Sequence, residues 1–495
     1  ERSVNAKTVP MAMETTTSAC SFCGMSCSRE LNTRGSLVVR SLPAPNDILC
    51  RKGRFGFEAF AGERLTQPLV RKDGQLVETT WQDAFLYAAK KAQSLKVRNG
   101  GSSLAVFVSP AYTVEEADAA SKLGRMVLGT ENIATFTRNS ARGLEKVLGE
   151  GLSTNSLDEI NATDLILMAG SFQESQVAAI KIRQAAKNGA KLVILSPEPT
   201  LADDQAALKL SGDMAVLKQI LAAVIKDGMV NTRFVESRVN GFEEFKSALS
   251  FLEPGDEARQ AARLYAQAKK AMIVIDGSAV SFAGVQLLAD LALITGKVGS
   301  PRNGLVVVTP GSNAAGLLYS GVNACFKEVS ENLRQGNIKG AFIFGEDPVG
   351  SGAFSAADFE GLDLLVVSTP FLTPTAELAD VVFPGSTPLE TSGSYISSDR
   401  KIKAVNMAKR PAAELANTAV IAGLADVLKV KLTPPAQRPS GEVWGEYVKF
   451  TREFATEDGK ANLVIPASDV LFEAAPVQDP AARKFKRMLS EMGIS

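Results

Sequence analysis

Short apolar runs alternate with longer amphipathic stretches from residue 64 to about residue 430. The apolar runs are rich in β-branched residues and lack strict polar–apolar alternation, which is typical of strands covered on both faces. They predict seven strands, at Leu104–Val108, Leu165–Ala169, Lys191–Leu195, 272–275, 341–344, 364–367 and 381–383. Alternation of such strands with helices favours parallel sheets and therefore an α/β fold.

Two predicted helices carry clear terminal signals. A helix over 81–95 starts behind Thr80-x-x-Asp83, which resembles a capping box with Asp at its second position. Another, over 177–187, stops at Asn188-Gly189, a pair that favours a helix C-terminus. The strand–helix rhythm occurs twice, and a mainly helical segment, 201–270, separates the two occurrences. The sequence thus predicts two α/β lobes.

Three predicted strands run directly into glycine, at Gly170-Ser171, Gly277-Ser278 and Gly345-Glu346-Asp347-Pro348. At any single position, glycine can simply close a tight turn between a strand and a helix. In open parallel sheets, however, ligands bind beyond the carboxyl ends of the strands, where the backbone must approach closely. As a set, these positions favour a long ligand-binding crevice or the remnant of one.

The end of the chain has a different character. After Lys431 comes a turn-rich segment, 433–441, with three Pro and one Gly. Short helical patterns follow over 443–454 and 481–492. Residues 431–495 are therefore predicted to form a linker and a docking tail.

Composition excludes several kinds of chemistry. The chain has 495 residues, 54 Lys and Arg against 54 Asp and Glu, five Cys and no His. Without histidine there is no Ser-His-Asp triad, no His-ligated zinc or haem and no facial-triad iron site. The balanced charge gives no basic footprint for nucleic acid. With 45% hydrophobic and 22% charged residues, the length predicts about three globular domains.

Targeting signals are also absent from the sequence pattern. No apolar run reaches the ~18 residues of a membrane span, so no transmembrane segment is expected. Residues 1–19 have no apolar core and no twin-arginine pair, and thus no secretory signal. The expected location is cytoplasmic, with peripheral membrane association only through partners.

Four of the five cysteines form the strongest chemical signal. Cys20, Cys23, Cys27 and Cys50 have the spacing C-x2-C-x3-C-x22-C. A [4Fe-4S] cube needs four thiolates, one for each iron, and the compact spacing favours that cluster. Structural zinc, which usually takes a pair of cysteines on both sides, and a redox disulfide stay open as weaker alternatives. The isolated Cys325 is expected to be a small buried hydrophobe rather than a reactive thiol.

Lys52 follows the last of these cysteines by two residues. A cation there would stabilise a reduced, more negative cluster, or bridge to a neighbouring cofactor. It would also fit a solvated lysine in a basic turn with Arg51 and Arg54.

Further motifs, in order over about residues 15–430, resemble the molybdopterin oxidoreductase family. They are Cys50-Arg-Lys-Gly-Arg-Phe-Gly, Arg64-Leu65-Thr-Gln-Pro68, Thr80-Trp81-Gln-Asp83-Ala84, Gly129-Thr130-Glu-Asn132, Gly170-Ser171, Gly345-Glu-Asp347-Pro348, Ala379-Asp380-Val-Val-Phe-Pro384 and Glu390-Thr-Ser-Gly393-Ser. The family includes formate dehydrogenases, nitrate reductases and the large iron–sulfur subunit of NADH:quinone oxidoreductase (complex I). The resemblance implies a small N-terminal [4Fe-4S] domain, two parallel-sheet α/β lobes, and a position for Lys52 between cluster and pterin.

Several positions depart from the catalytic members of that family. Where formate dehydrogenase-like members carry a metal-ligating Cys or selenocysteine, this chain reads Arg138-Asn139-Ser140. Phe172 stands in place of a polar residue in a pterin-contacting turn, and Glu198 stands where a phosphate would need a cation. The family's C-terminal β-barrel is expected to have no room after residue 440. The resemblance therefore implies the complex I-type branch with no molybdopterin, although Ser140 stays open as a metal ligand.

These expectations give the following domain boundaries: a linker or remnant of an upstream module (1–19), the [4Fe-4S] domain (20–63), a first α/β lobe (64–200), a helical segment (201–270), a second α/β lobe (271–430), and the linker and tail (431–495). Whether a pterin remains bound near Gly170, Ser171, Gly345 and Asp347 stays open.

Three hypotheses follow. The first is an iron–sulfur electron-transfer and scaffold subunit of an NAD(P)H-, hydrogen- or formate-linked complex, with flavin/NAD, ferredoxin-like, hydrogenase or formate dehydrogenase-type partners. The second is a catalytic molybdenum or tungsten enzyme such as a formate dehydrogenase, in which Arg138 or Arg142 orients a carboxylate substrate. The third is an assembly or binding protein with a structural metal.

Overall fold

The fold is that of a computed structural model, which describes residues 12–324, 326–433, 435, 440–473 and 480–492. The expectation for Cys325 lies outside these residues, as do the first eleven residues and much of the predicted linker. In the described ranges, no helix combines the length and the apolar character that crossing a membrane requires.

A three-stranded antiparallel sheet, the N-terminal sheet, comes first, with strands Glu14–Ala19, Ser28–Arg34 and Leu37–Pro43. Ala19 pairs with Ser28, so residues 20–27 form the loop that connects the two antiparallel strands of a hairpin. The first of these strands lies inside the segment expected to be a linker, so the small N-terminal domain begins before residue 20.

A five-stranded, all-parallel sheet forms the core of one lobe. Its strands, in spatial order, are Leu208–Leu210, Lys191–Leu195, Leu165–Ala169, Ala271–Asp276 and Gly304–Val308. The three central strands are buried almost throughout because helices cover both faces. The first and the last of these strands were not among those predicted, and the first lies in the segment expected to be mainly helical.

A seven-stranded sheet forms the core of the other lobe. Its strands, in spatial order, are Gln75–Glu78, Leu69–Lys72, Val381–Pro384, Leu364–Thr369, Gly340–Phe344, Leu104–Val108 and Ile133–Ala134. Five are parallel, and the hairpin at 69–78 joins the edge antiparallel to Val381–Pro384. All seven predicted strands are thus present, with bounds within two residues, and the predicted α/β class is confirmed.

The strands are distributed between the two lobes differently from what the predicted domain boundaries imply. Leu104–Val108 pairs with Gly340–Phe344, whereas Ala271–Asp276 pairs with Leu165–Ala169. The chain therefore starts the seven-stranded sheet, leaves it to build the whole five-stranded sheet, and then returns. The pattern of apolar residues identifies strands but does not indicate which distant strand each one pairs with. The two lobes were therefore predicted to follow one another along the chain.

The α-helices are Arg51–Phe55, Trp81–Asn99, Val114–Lys122, Gly143–Leu148, Gln176–Lys187, Met214–Lys226, Thr232–Arg238, Phe242–Leu249, Asp256–Gln267, Phe282–Ile294, Ala314–Tyr319, Phe326–Arg334, Pro374–Leu378, Asn417–Asp426 and Pro480–Glu491. Thr80 accepts a hydrogen bond from Asp83 N, as its capping role predicts. Short pairs at 239–240 with 461–462, and at 393–396 with 402–405, complete the strands.

The C-terminal segment folds back on its own chain. No helix forms over 443–454, where one was expected. The buried Arg400 guanidinium donates to the carbonyls of Trp444 (3.1 Å) and Tyr447 (3.0 Å), which a helix would use internally, and Phe450 has a φ of +66°. The second expected helix is present as Pro480–Glu491, and it packs on the short helical turn Gly56–Phe60.

Candidate functional site

Cys20, Cys23 and Cys27 lie on one loop, residues 20–27, which we call the thiol loop. It joins the first two strands of the N-terminal sheet and is closed by a hydrogen bond from Cys20 N to the Cys27 carbonyl (2.8 Å). Ser26 N donates to the Cys23 carbonyl (3.0 Å), and Ser26 has a φ of +43°, so the chain reverses sharply inside the loop. All three cysteines are buried.

Gly24 lets the thiol loop lie directly on the lobes. Its N–H donates to the Thr309 carbonyl (2.9 Å), and its carbonyl accepts from Ser398 N (2.7 Å). A Cβ at this position would lie 2.0 Å from Ser398 Oγ and 2.3 Å from Thr309 Oγ1. Any other residue would therefore push the loop away from the end of the five-stranded sheet.

The fourth cysteine comes from a second segment. Cys50 precedes the helix Arg51–Phe55, and its carbonyl accepts from Arg54 N (3.0 Å). A Cβ at Gly53 would lie 3.6 Å from Cys20 Sγ, so this helix packs against the thiol loop. Cys20, Cys27 and Cys50 belong to one apolar cluster with Phe22 and Phe60.

The environment of the thiols opposes their ionisation. Burial, reinforced by neighbouring cysteines, raises the pKa of Cys20, raises that of Cys23 to about 12 and raises that of Cys27 well above its usual range. Buried thiols become thiolates when a positively charged metal centre or cation stabilises them. Four thiols and no buried carboxylate among them make a donor set suited to an iron–sulfur cluster.

In the part of the chain that the structure describes, no three Cys, Asp or Glu side chains are drawn together as they would be around a single bound metal ion.

Lys52 connects the helix Arg51–Phe55 to the five-stranded sheet. Its ammonium forms an ion pair with the Glu174 carboxylate and donates to the Glu174 carbonyl (3.0 Å). Burial lowers the pKa of Lys52, but the Glu174 carboxylate and the nearby cysteines raise it more, so the net shift is upward. Lys52 is thus a paired cation, not the solvated lysine of a basic turn.

We use the name strand-end crevice for the region at the carboxyl ends of Leu165–Ala169, Ala271–Asp276 and Gly340–Phe344. Gly170 has a φ of +103°, and a Cβ there would lie 2.5 Å from the Asp276 Cβ. The Asp276 carboxylate accepts from Phe172 N (2.7 Å), and burial raises its pKa. Phe172 is fully buried, so it fills the lobe interior where the resemblance implies a polar contact.

Other polar side chains of the crevice also have partners within the chain. The Glu198 carboxylate accepts from Ser171 Oγ (3.0 Å) and Gln173 Nε2 (2.9 Å). Ser140 is fully buried and donates to the Gly277 carbonyl (3.0 Å). Arg138 forms an ion pair with Glu473 at 2.6 Å. Ser140, the residue that stayed open as a metal ligand, therefore already uses its hydroxyl in a buried hydrogen bond.

Glu346 lies at the end of Gly340–Phe344 and is fully buried. It accepts four hydrogen bonds of 2.8–3.0 Å, from Thr135 Oγ1, Phe136 N and both the N and Oγ1 of Thr137. Burial nevertheless raises its pKa to about 7, since the donors offset only part of the desolvation.

Asp347, also fully buried, accepts from Thr375 Oγ1 (2.6 Å) and Thr375 N (3.0 Å) and forms an ion pair with Arg483. Arg483 lies on the C-terminal helix Pro480–Glu491. From the same helix, Lys486 reaches Glu174 at 3.6 Å and the Phe485 ring lies 6.2 Å from Phe22. This helix therefore connects both sides of the strand-end crevice and covers the thiol loop.

A pocket of about 440 Å³, part of it open to solvent, lies at the end of the seven-stranded sheet. Tyr112, Glu116 and Asn417 line it, together with Ser386 and Thr387. The hydroxyls of Ser386 and Thr387 are buried and have no hydrogen-bond partner among the described residues. A pocket with a mainly apolar lining, and with these two hydroxyls in its wall, thus remains at this end of the crevice.

Three residues of this region were missed by the sequence analysis: Arg29, Glu174 and Arg483. Arg29 could have been noticed, because it occupies an inward-facing position of a strand next to the cysteine motif, two residues before the apolar Leu31. Glu174 and Arg483 carry no local signal, since each is defined by a partner more than 100 positions away.

The sequence model "Molybdopterin oxidoreductase" matches residues 64–416. Among curated proteins, Formate dehydrogenase H of Escherichia coli (strain K12) is 27% identical over 78% of this chain and 64% of its own length. F420-dependent formate dehydrogenase subunit alpha of Methanocaldococcus jannaschii is 27% identical over 83% and 69%. NADPH-Fe(3+) oxidoreductase subunit alpha of Geobacter sulfurreducens is 28% identical over 82% and 54%. The chain therefore spans about half to two thirds of these relatives.

Among solved structures, acetylene hydratase from Pelobacter acetylenicus has the same fold. The TM-score is 0.69, and the match covers 83% of this chain and 69% of that one. At 18% identity, this likeness concerns the fold alone.

Proposed function

This chain belongs to the molybdopterin oxidoreductase family, and on that premise we propose that it is an iron–sulfur electron-transfer and scaffold subunit of a multi-subunit oxidoreductase complex. Cys20, Cys23, Cys27 and Cys50 would hold one [4Fe-4S] cluster, which supplies one-electron transfer. The chain would have no molybdenum site of its own. Substrate chemistry would then take place on a partner subunit.

The observation that carries this proposal is the contrast between the thiols and Ser140. Cys20, Cys27 and Cys50 share one apolar cluster and Cys23 is buried on the same loop, whereas Asn139 and Ser140 stand where the resemblance implies a thiolate or selenolate in catalytic relatives. Because Ser140 already donates to Gly277, using it as a ligand would cost a buried hydrogen bond.

The internal pairing of the strand-end crevice supports the same proposal. Glu198 lies where an anionic phosphate would be repelled, and Phe172 offers no polar atom to a pterin. Asp347 is held by the chain's own C-terminal helix through Arg483. Such groups would have to leave their partners before they could bind a pterin dinucleotide.

Partner subunits follow from the relatives. Two of them are named as alpha subunits of F420-dependent and NADPH-linked enzymes. We expect this chain to exchange electrons with a flavin- or NAD-binding, ferredoxin-like, hydrogenase or formate dehydrogenase-type partner in the cytoplasm. Electrons would enter or leave near the thiol loop, which the C-terminal helix borders.

The cluster is tested by iron and sulfide analysis together with electron paramagnetic resonance of the reduced full-length chain. About four irons per chain are expected, with a reduced-state signal. Cys27→Ser should remove both, whereas Cys325→Ser, a change at the one cysteine outside the motif, should leave both intact. A chain that binds zinc instead of iron, or a signal insensitive to Cys27→Ser, would overturn the proposal.

A second candidate is a catalytic molybdenum or tungsten enzyme, favoured by the cavity beside Ser386 and Thr387 and by the formate dehydrogenase relatives. In that case Arg138 or Arg142 would orient a carboxylate. Its test is formate oxidation with an artificial electron acceptor, after production of the chain in the presence of molybdate or tungstate. Turnover that disappears in Ser140→Ala would support this candidate over the first.

A further inference from the structure

One cation beside the thiol loop has no hydrogen-bond partner among the residues that the structure describes. Arg29 lies on the strand Ser28–Arg34, two residues after Cys27, and is fully buried. None of its three guanidinium nitrogens makes a hydrogen bond to any residue that the structure describes. Arginine stays charged in proteins, and a buried charge without a counter-charge is strongly unfavourable. The folded chain therefore provides an unmet positive charge at this point.

The geometry of the strand directs Arg29 toward the cysteines. Arg29 and Leu31 are two residues apart and share one face of the sheet. Leu31 is fully buried in the apolar cluster that contains Cys20 and Cys27. Burial raises the pKa of Cys20, and the positive charge of Arg29 is the strongest of the effects that lower it. The guanidinium thus lies close enough to stabilise negative charge on this sulfur.

Neighbouring carboxylates do not neutralise Arg29. Asp47, the acidic group that acts on Cys27, accepts from Ser28 N (2.7 Å) and Ile48 N (2.8 Å). Glu174 is paired with Lys52 and Lys486. The two cations near the thiol loop therefore differ: the charge of Lys52 is already offset by Glu174, whereas the charge of Arg29 is available.

We propose that Arg29 is the counter-cation of the iron–sulfur cluster, a positioning residue that retains the cluster and raises its reduction potential. This inference rests on the proposed function. Four thiolates make a cube net negative, and reduction by a one-electron donor of the complex adds one further negative charge without making or breaking a bond. A fixed positive charge in a low-dielectric site stabilises the reduced form more than the oxidised form.

Three variants of the full-length chain test this role. Arg29→Met removes the charge at similar length, Arg29→Lys keeps it, and Arg34→Met is a matched control at the exposed end of the same strand. The measurements are iron per chain and a redox titration of the reduced-state paramagnetic signal. At a fixed potential, Arg29→Met should lower the ratio of reduced to oxidised cluster at least tenfold. For a one-electron couple, this corresponds to a reduction potential that is lower by about 59 mV. Arg29→Lys should lower it less than threefold, and Arg34→Met less than twofold.

The outcomes separate this inference from the proposed function. A wild-type chain without iron would defeat the proposed function itself. A loaded Arg29→Met chain whose reduced-to-oxidised ratio stays within twofold of wild type would overturn the role of Arg29 alone. If Arg29→Met loses its iron while Arg29→Lys keeps it, the charge is what retains the cluster. Loss of iron from both variants would contradict the inference, since charge would then not be the property that matters.

Discussion

The thiol loop and the strand-end crevice lie side by side but differ in how their polar groups are satisfied. In the crevice, Asp347 and Glu198 are bonded to side chains or backbone of the same chain. Beside the thiol loop, the guanidinium of Arg29 has no partner among the described residues, and the three loop thiols are buried. The polar groups of the crevice thus have partners within the chain. The thiol loop, by contrast, presents buried thiols beside an arginine charge that has no partner among the described residues.

This difference distinguishes the two places in the fold at which the resemblance to the family implies a cofactor. Buried polar groups are nearly always paired, so an unpaired buried cation next to four thiols indicates an anionic centre. At the strand ends, by contrast, the polar groups are paired within the chain, as the proposed loss of the pterin site requires. The small cavity beside Ser386 and Thr387 is the exception within the crevice.

The largest effect is expected at the thiol loop. Cys27→Ser should abolish the reduced-state paramagnetic signal, because an alkoxide is a poor substitute for thiolate on iron. The expected loss is nearly complete. Ser26→Ala, next to it on the loop, serves as the control and should retain the signal. Equal loss in both variants would mean that the loop is only a structural element.

The next effect concerns the crevice. Asp347→Ala should lower the free energy of unfolding by about 3 kcal/mol, because it leaves the buried Thr375 donors without their acceptor and removes the ion pair with Arg483. Glu377→Ala, at an exposed residue of the neighbouring short helix, should change it by less than about 0.5 kcal/mol. Chemical denaturation measures both values. A small effect at Asp347 would mean that the crevice is not internally paired in solution.

Stability should also depend on pH through Glu346. Burial raises the pKa of Glu346 in the folded protein to about 7. Its contribution to the free energy of unfolding is therefore fully present below the pKa of the unfolded chain and is lost as the pH rises through 7. The loss should be on the order of 2 kcal/mol between pH 5 and 8. Melting temperatures across this range should fall more steeply for wild type than for Glu346→Gln. Parallel curves would show that the four donors keep Glu346 ionised throughout.

The smallest effect is expected where the two regions meet. A double-mutant cycle with Lys52→Met and Glu174→Gln should give a coupling of about 1 kcal/mol, since both side chains are partly exposed. The more exposed pair Lys91–Asp380 is a suitable control and should give less. Lys52→Met should also lower the cluster potential less than Arg29→Met, because Glu174 already offsets the charge of Lys52.

The sequence allowed the strands and the cysteine motif to be predicted, because both depend on local pattern. Leu104–Val108 and Leu165–Ala169 were predicted with the observed bounds. Their assignment to different sheets was not, since pairing depends on residues more than 100 positions apart. The helix expected over 443–454 was wrong because Arg400, far away in sequence, binds its carbonyls. Long-range partners explain the missed Glu174 and Arg483 in the same way.

Metal content of the purified complex tests the central claim most directly. The account predicts about four irons on this chain and no stoichiometric molybdenum or tungsten. Elemental analysis of the wild-type chain, with Cys27→Ser as the reference for iron bound elsewhere, gives both numbers in one experiment. One molybdenum or tungsten bound per chain would contradict the claim that this subunit transfers electrons without a substrate-converting site of its own.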